Sequence, residues 1–89
     1  MKIEFDPKKN EENLRKHGIS LARAVDLTEA IVVRDDRFDE LRFRVYGLID
    51  EQLHCAAVTL RSGSVRVISL RRAHLKETKR HGGQEFGCL

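Results

Sequence analysis

Cysteine, aromatic residues and long apolar runs are all scarce in this chain of 89 residues. The two cysteines, Cys55 and Cys88, do not make a disulfide framework, and Cys55 is most simply a small buried residue. No apolar run is long enough to cross a membrane, and the start Met-Lys-Ile-Glu does not resemble a secretory signal. We therefore expect a cytoplasmic protein that has no membrane partner.

Several motifs that mark common enzyme and binding classes are also missing. The sequence has no Gly-rich phosphate loop, no Gly-x-Ser-x-Gly elbow and no stacked-aromatic motif of an RNA-recognition sheet. His74 and His81 stand two turns apart on a predicted helix, and His54 lies in a predicted strand. No pair of these residues has the spacing of a zinc site, so we expect neither a metal nor a cofactor.

Charged residues, in contrast, are plentiful and unevenly distributed. They make up 35% of the chain, and the formal net charge is +3. Residues 20–51 hold eight acids against five arginines, whereas residues 61–81 hold seven Lys or Arg against a single acid, Glu77. This asymmetry favours a basic patch for nucleic acid or for an acidic protein partner. A solvated surface of balanced charge is the alternative.

The pattern of apolar residues predicts one domain over residues 1–81 and a mobile tail over residues 82–89. A first helix is predicted after the N-cap Asp6 and to end at Gly18, and a second is predicted to open at Ser20. The element order β-α-α-β-β-β-β-α predicts an α+β fold, an antiparallel sheet with the helices packed on one face. The first helix has only Leu14 as an apolar anchor, so we expect it to dock by polar contacts.

The last predicted hairpin decides whether two arginines can act together. A two-residue loop at Ser62-Gly63 would set Arg61 and Arg71 on opposite faces of the sheet, whereas a three-residue loop with a left-handed Gly63 would set them on one face. Glycine as the last loop residue favours the longer loop. That register predicts one polar cluster of Thr59, Arg61, Ser69 and Arg71.

Two guanidinium groups in such a cluster would suit a phosphate, because the planar fork of arginine matches phosphate oxygens. The alternative is that each arginine pairs with a nearby acid, such as Asp39, Glu40 or Glu77. His17 closes the first helix, with Asn13 one turn earlier on the same side. Its imidazole is suited to proton transfer near neutral pH. Alternatively, His17 only interacts with the C-terminal end of the helix dipole.

A family resemblance rests on a series of short motifs that occur in order along residues 3–81. They are Asp6-Pro7-Lys8, Asn13, Lys16-His17-Gly18-Ile19-Ser20, Arg42-Phe43, Gly47, Thr59-x-Arg61-x-Gly63, Arg66-Val67-Ile68-Ser69-x-Arg71-x-Ala73 and Glu77. This pattern resembles the BrnT family of bacterial type II toxins. The resemblance implies a RelE-like fold and a ribonuclease that shuts down translation. It also implies a BrnA-type, ribbon-helix-helix antitoxin, which neutralises the toxin and supplies the DNA-binding part of a complex that represses its own operon.

RNA cleavage without a metal needs a base, an acid and cations around the phosphate. We expect Arg61 and Arg71 to bind the scissile phosphate. His17 or Glu77 would be the base, and Lys16 or His81 the acid, with His81 standing where the family has a tyrosine. The remaining RNA contacts are expected from basic residues of the last third: Arg66, Arg72, Lys76, Lys79 and Arg80. The competing hypothesis is a non-catalytic binding module that acts only through its antitoxin, and direct DNA binding is disfavoured because no helix-turn-helix pattern is present.

Overall fold

The computed structural model describes residues 2–73, which form two helices and one sheet. In chain order the elements are β1 (Ile3–Glu4), α1 (Pro7–His17), a 3₁₀ helix (Leu21–Asp26), β2 (Thr28–Asp35), β3 (Arg42–Ile49), β4 (Gln52–Arg61) and β5 (Ser64–Arg72). None of the helices in this part of the chain is long and apolar enough to span a membrane. The α+β class is confirmed, while the predicted terminal helix and tail lie outside the described residues.

The five strands form one mixed sheet in the spatial order β1-β5-β4-β3-β2. The four strands β2 to β5 make an antiparallel meander, as predicted, but β1 runs parallel to β5. The expectation of a purely antiparallel sheet is therefore wrong for β1. Strands that follow each other through short connections must reverse direction, whereas the helical segment after β1 frees that strand from this constraint.

Helix α1 begins and ends where its capping residues predict. The Asp6 carboxylate accepts a hydrogen bond from the Lys8 backbone N–H at 2.9 Å, and proline occupies the first helical position. At the other end Gly18 has φ of 70° and donates its N–H to the carbonyl of Leu14 at 2.9 Å. A left-handed residue of this kind closes a helix most readily when it has no Cβ.

The second helix begins at its predicted cap but is a single 3₁₀ segment. The Ser20 hydroxyl accepts a hydrogen bond from the Ala22 N–H at 3.2 Å. Leu21 and Ala24 are buried, and their spacing of three residues places them on one side of a helix with three residues per turn. They join the buried core of the sheet, whose members are Leu21, Ala24, Ile49, Ala56, Val58, Val67 and Leu70.

Helix α1 docks through a buried amide, which confirms the prediction of polar docking. The side chain of Asn13 is only 5% exposed, whereas Leu14 is exposed. Its Nδ2 donates to the carbonyl oxygens of Leu70 at 2.7 Å and Ile19 at 2.9 Å, and its Oδ1 accepts from the Leu70 N–H at 3.1 Å. Strand β1 pairs with β5 only at Val65 and Arg66. At Leu70, further along the same edge of β5, the Asn13 amide supplies the backbone hydrogen bonds that a neighbouring strand would otherwise make.

The hairpin between β4 and β5 has the shorter of the two loops considered. Ser62 and Gly63 have φ of 49° and 79°, and Arg61 lies opposite Ser64, so the prediction of a three-residue loop is wrong. Positive φ at both positions is the signature of a two-residue turn whose twist matches the strands. The extra residue that the prediction placed in the loop lies instead within β5.

A bulge in β5 accounts for that extra residue. Val58 lies opposite Val67, but the next pair is Ala57 with Ser69, so Ile68 has no partner across the ladder. Because a bulge shifts the register by one residue, the pairing beyond it follows the predicted odd-with-odd register. Cys55 therefore lies opposite Arg71.

Candidate functional site

The strands present two faces of different chemistry, since alternate residues point to opposite sides of a sheet. Residues directly opposite each other share a face, so Arg44, Ala57 and Ser69 form one row across β3, β4 and β5. The next row consists of Tyr46, Cys55 and Arg71. We call this side the arginine face. The opposite side, which packs against the 3₁₀ helix through the buried core, is the helix face.

A pocket of about 220 Å³ lies on the arginine face, and we call it the arginine pocket. It exists because the middle strand contributes the small residues Cys55 and Ala57, while the flanking strands contribute long side chains. Ten of the described residues line it: Asp35, Arg37, Phe38, Arg42, Phe43, Arg44, Cys55, Ala57, Ser69 and Arg71. Four of them are arginines and one is an aspartate, so the pocket carries an excess of positive charge.

The arginines from β3 and β5 are fixed by polar contacts at the pocket wall. Arg44 Nη1 donates to the hydroxyl of Tyr46 at 3.1 Å, and Arg71 Nη1 donates to the carbonyl of Arg72 at 3.1 Å. The Nε of Arg44 is buried and has no hydrogen-bond acceptor within residues 2–73. A buried donor without an acceptor is uncommon, so this guanidinium is suited to a site where an anion or water supplies one.

The carboxylate of Asp35 organises the loop beside the pocket. It is buried and accepts hydrogen bonds from the Nη2, Nε and backbone N of Arg37 at 2.7, 2.9 and 3.2 Å. These bonds, with the Arg37 side chain as the main cause, lower the pKa of Asp35 to about 2. Asp35 is therefore an anion near neutral pH and holds the loop, rather than serving as a proton donor.

An aromatic ring lies at the rim of the arginine pocket. Phe38 belongs to the connection between β2 and β3 and is 42% exposed. The guanidinium carbon of Arg42 lies 4.0 Å from the centre of its ring, within the range of a cation–π contact. Arg42 is held in turn by Glu40, to which its Nε donates at 2.6 Å.

A second, smaller pocket of about 110 Å³ lies where the end of α1 meets β5. We call it the α1 pocket, and it is lined by Lys9, Glu12, Asn13, Lys16, His17, Ile68 and Ser69. Helix α1 contributes the exposed imidazole of His17 to one pocket, the arginines contribute their guanidinium groups to the other, and Ser69 lines both. This combination can hold an anion and move a proton next to it.

A model of the family described as "ribonuclease toxin, BrnT, of type II toxin-antitoxin system" matches residues 5–77. The chain belongs to the BrnT family. Its fold is similar to that of the Brucella abortus ribonuclease toxin BrnT in a crystal structure, with a TM-score of 0.69 and 26% identity over 83% of this chain and 97% of that one. No curated protein sequence matches the chain. Type II toxins have an antitoxin partner, while the RelE-like label stays a prediction.

Three of the site residues predicted from the sequence line the two pockets that share Ser69. Lys16 and His17 line the α1 pocket, and Arg71 lines the arginine pocket, with Ser69 between them. Their roles as acid, base and phosphate ligand remain predictions. The structure supports their selection only by bringing them to the same part of β5.

Arg61 does not join this group, and the predicted convergence of Arg61 with Arg71 is wrong. Arg71 lies opposite Cys55, six positions before Arg61 along β4. At about 3.3 Å per residue, this offset separates the two arginines by about 20 Å along the hairpin. In a hairpin, the residue just before the turn pairs with the residue just after it, so Arg61 lies opposite Ser64. Arg71 is eight residues beyond the turn and therefore cannot lie opposite Arg61. Arg61 is exposed beside the turn.

The other predicted RNA contacts that the structure describes, Arg66 and Arg72, lie in β5 but do not line the arginine pocket. Arg66 pairs with Glu4 of β1 at 3.4 Å, and Arg72 Nε donates to the side chain of Gln52 at 2.9 Å. Ion pairing with nearby acids is thus observed for Arg66 and for Arg42, whereas for Arg61 and Arg71 it stays an alternative. Five predicted residues lie outside the described residues: Lys76, Glu77, Lys79, Arg80 and His81.

Sequence reasoning missed the contribution of β3 to the pocket. Arg42 and Arg44 alternate with the apolar Phe43 and Val45, a pattern that places both arginines on the face away from the core. This signal was available in the sequence. Their proximity to Arg71 was not, because it depends on the register of two hairpins and on the bulge at Ile68.

Proposed function

We propose that this toxin is a metal-independent endoribonuclease whose arginine pocket holds the scissile phosphate of an RNA strand. The observation that carries the proposal is the position of Ser69, which lines both the arginine pocket and the pocket of His17. A phosphate bound beside Ser69 would have guanidinium groups on one side and an imidazole on the other. Membership of a family of ribonuclease toxins supports RNA as the substrate class.

We base the proposed chemistry on the residue types at the two pockets and on the predicted site residues. His17 accepts the proton of the ribose 2′-hydroxyl, and the 2′-oxygen then forms a bond to phosphorus while the bond to the 5′-oxygen breaks. The products are a 2′,3′-cyclic phosphate and a free 5′-hydroxyl, whose proton comes from Lys16 or His81. Arg44 and Arg71 stabilise the extra negative charge of the phosphorane. Glu77 remains the alternative base.

Loss of a pocket arginine is the direct test. We expect Arg71→Ala to lower the rate of RNA cleavage by about 100-fold or more, the usual cost of removing a preorganised donor from a developing anion. Arg34→Ala is the matched control, because Arg34 is exposed, lies opposite Phe43 on the helix face and, among the described residues, forms an exposed ion pair with Asp36. Cleavage of a labelled RNA by both purified variants, with growth arrest in cells, measures the difference.

Two results would contradict the assignment of the pocket. One is equal loss of cleavage in Arg34→Ala and Arg71→Ala, which would indicate a general effect of charge. The other is full activity of a folded Arg71→Ala variant. Arg61→Ala adds a further comparison, because a loss as large as that of Arg71→Ala would place the reacting phosphate nearer the hairpin turn.

Metal independence has a separate test. Within residues 2–73, no three side chains of His, Cys, Asp or Glu lie together as a metal-binding group. If guanidinium and imidazole groups perform the reaction, cleavage by the full chain should continue at an unchanged rate after dialysis against EDTA. Loss of activity on chelation, with recovery on adding a divalent cation, would reject this part of the proposal.

The partner proposal concerns regulation. We propose that a BrnA-type ribbon-helix-helix antitoxin neutralises the toxin in the cytoplasm, and that their complex represses the shared operon through the DNA-binding part of the antitoxin. Growth arrest on expression of the toxin alone, relieved by co-expression of the adjacent reading frame, is the expected result. If the toxin alone has no effect on growth but strengthens operator binding by the antitoxin, the chain acts as a non-catalytic binding module.

A further inference from the structure

Phe38 is an aromatic residue in an unusual place for an apolar side chain. It is 42% exposed and lies outside the hydrophobic core, yet it lines a pocket dominated by arginines. The chain has only four phenylalanines, one tyrosine and no tryptophan, and Phe43 packs against the core from the neighbouring strand. An exposed ring beside guanidinium groups therefore calls for an explanation other than folding.

The ring is also held in a defined position. Arg42 stacks over it with its guanidinium carbon 4.0 Å from the ring centre, and Arg37 approaches to 5.5 Å. Both arginines are themselves anchored by carboxylates, Arg42 by Glu40 and Arg37 by Asp35. The aromatic surface is thus preorganised, so a ligand that stacks on it would not have to pay for ordering the loop.

We propose that Phe38, with Arg42, forms a stacking platform for an unpaired nucleobase of the RNA substrate, next to the nucleotide whose phosphate occupies the arginine pocket. This inference rests on the proposed ribonuclease function and deepens it. Proteins that recognise single-stranded RNA splay out bases and stack them on aromatic rings or on arginine planes. A ring and a cationic pocket side by side match the two parts of a nucleotide, the base and the phosphate.

The alternative occupant is a protein partner, whose side chains would meet the same ring. The combination of an aromatic ring with a cationic pocket favours RNA, because a nucleotide presents a flat base beside a phosphate, whereas an acidic protein would match the positive charge alone. Aromatic stacking is also tolerant of base identity, since every base has a π-face. The platform would therefore fix the position of the RNA strand without selecting a particular sequence.

The absence of tryptophan provides a clean reporter. In Phe38→Trp, the indole is the only one in the chain, and stacking of a base on it should quench its fluorescence. The probe is a single-stranded oligonucleotide of 2′-O-methyl RNA, which binds but cannot be cleaved because it has no free 2′-hydroxyl. Leu60→Trp is the control, since Leu60 is also exposed but lies on the helix face, opposite Val65. We expect saturable quenching in Phe38→Trp alone.

Affinity for the same oligonucleotide separates stacking from simple apolar contact. We expect Phe38→Leu to bind about tenfold more weakly than the native chain, as is typical for the loss of one stacked base, while Phe38→Tyr keeps the native affinity. Unfolding temperatures of the variants establish that the loop change does not unfold the protein.

The outcomes distinguish this inference from the function on which it rests. If Arg71→Ala loses cleavage but Phe38→Leu binds and cleaves RNA as the native chain does, the platform is wrong and the ribonuclease proposal stands. If the native chain neither binds nor cleaves RNA, both fail. If Phe38→Leu keeps its RNA affinity but escapes neutralisation by the co-expressed antitoxin, the ring is a protein contact and the inference is overturned.

Discussion

The helix face and the arginine face are built from the same strands, yet the first buries apolar side chains and the second presents arginines to a pocket. On the helix face, Ala56, Val67 and Leu70 are buried against the 3₁₀ helix. On the arginine face, the residues next to them in the chain are Ala57 and Arg71, which line a polar pocket. One residue step along a strand therefore changes the surroundings of a side chain from apolar core to cationic site.

The residues that stabilise the fold therefore lie mainly on the helix face, and those proposed to act in the reaction lie on the arginine face. Burial of apolar surface stabilises the fold by an amount that grows with the area removed from water. Guanidinium groups resist such burial, because moving an unpaired charge out of water is costly. Arginines that serve a phosphate are therefore expected on the face away from the hydrophobic cluster, although Tyr46 and Cys55 are buried there, and the two faces should respond differently to mutation.

The largest expected effect is on the stability of the helix face. Leu70 is fully buried, and we expect Leu70→Ala to lower the free energy of unfolding by about 2–5 kcal/mol, the usual cost of a cavity left by leucine. The backbone groups of Leu70 that bond to Asn13 stay in place, so the loss reports on packing. Urea unfolding followed by circular dichroism measures it.

Leu60→Ala is the matched control for this prediction. Leu60 also belongs to the strands of the hairpin, but it is 55% exposed, and surface substitutions usually change stability by less than about 0.5 kcal/mol. Similar losses in the two leucine variants would mean that burial in the core is not the source of the stability lost in Leu70→Ala.

A pair of alanines next to each other in β4 tests the comparison most sharply. Ala56 is fully buried on the helix face, and Ala57 lies between Arg44 and Ser69 on the arginine face. Ala56→Leu should overpack the core and cost about 1–3 kcal/mol of stability. Ala57→Leu should fill the arginine pocket and lower RNA cleavage by about tenfold or more, a loss of about 1.4 kcal/mol in transition-state stabilisation, with little effect on unfolding.

Both properties are measured on both variants, by thermal unfolding and by cleavage of a labelled RNA. If Ala57→Leu unfolds as easily as Ala56→Leu, the two faces are not energetically separate. If it keeps full cleavage while folded, the phosphate does not occupy the space above Ala57.

The sequence predicted local features better than long-range ones. The caps Asp6, Gly18 and Ser20 are confirmed because a cap depends only on its neighbours in the chain. The parallel pairing of β1 was missed because no local signal specifies which strand a two-residue segment will join. The composition of the site was anticipated only in part for the same reason, since Arg44 and Arg71 meet through the register of three strands.

The hairpin shows how a small local error becomes a large error in the site. The sequence correctly indicates an extra residue between β4 and β5, but the loop and the strand are both able to hold it. A glycine favoured the loop, whereas the structure has a two-residue turn and a bulge at Ile68. The pairing of Cys55 with Arg71 is the same in either case. The loop length and the position of Arg61 relative to the site both differ from the prediction, because a shared face does not fix the distance between two residues along the strands.

The smallest expected effect concerns Asp35, a buried carboxylate on the arginine face. Its bonds to Arg37 hold its pKa at about 2, below the ordinary value of 3.8. A carboxyl whose pKa is lower in the folded state stabilises the fold above its unfolded pKa, and this contribution is lost as the pH falls from about 4 towards about 2. Asp35→Asn removes the contribution. The native chain should therefore be more stable than Asp35→Asn at pH 7, and the difference should vanish near pH 2.

Thermal unfolding of both chains across this pH range tests the prediction. Asp36→Asn is the neighbouring control, because within residues 2–73 Asp36 forms an exposed ion pair with Arg34, and such pairs contribute little to stability. Parallel curves for the native chain and Asp35→Asn at every pH would show that the Arg37 bonds do not stabilise the fold. If the curves converge at low pH as expected, the loop that carries Phe38 is held by a charge on the arginine face. The stability of that face would then depend on pH in a way that the packing of the helix face does not.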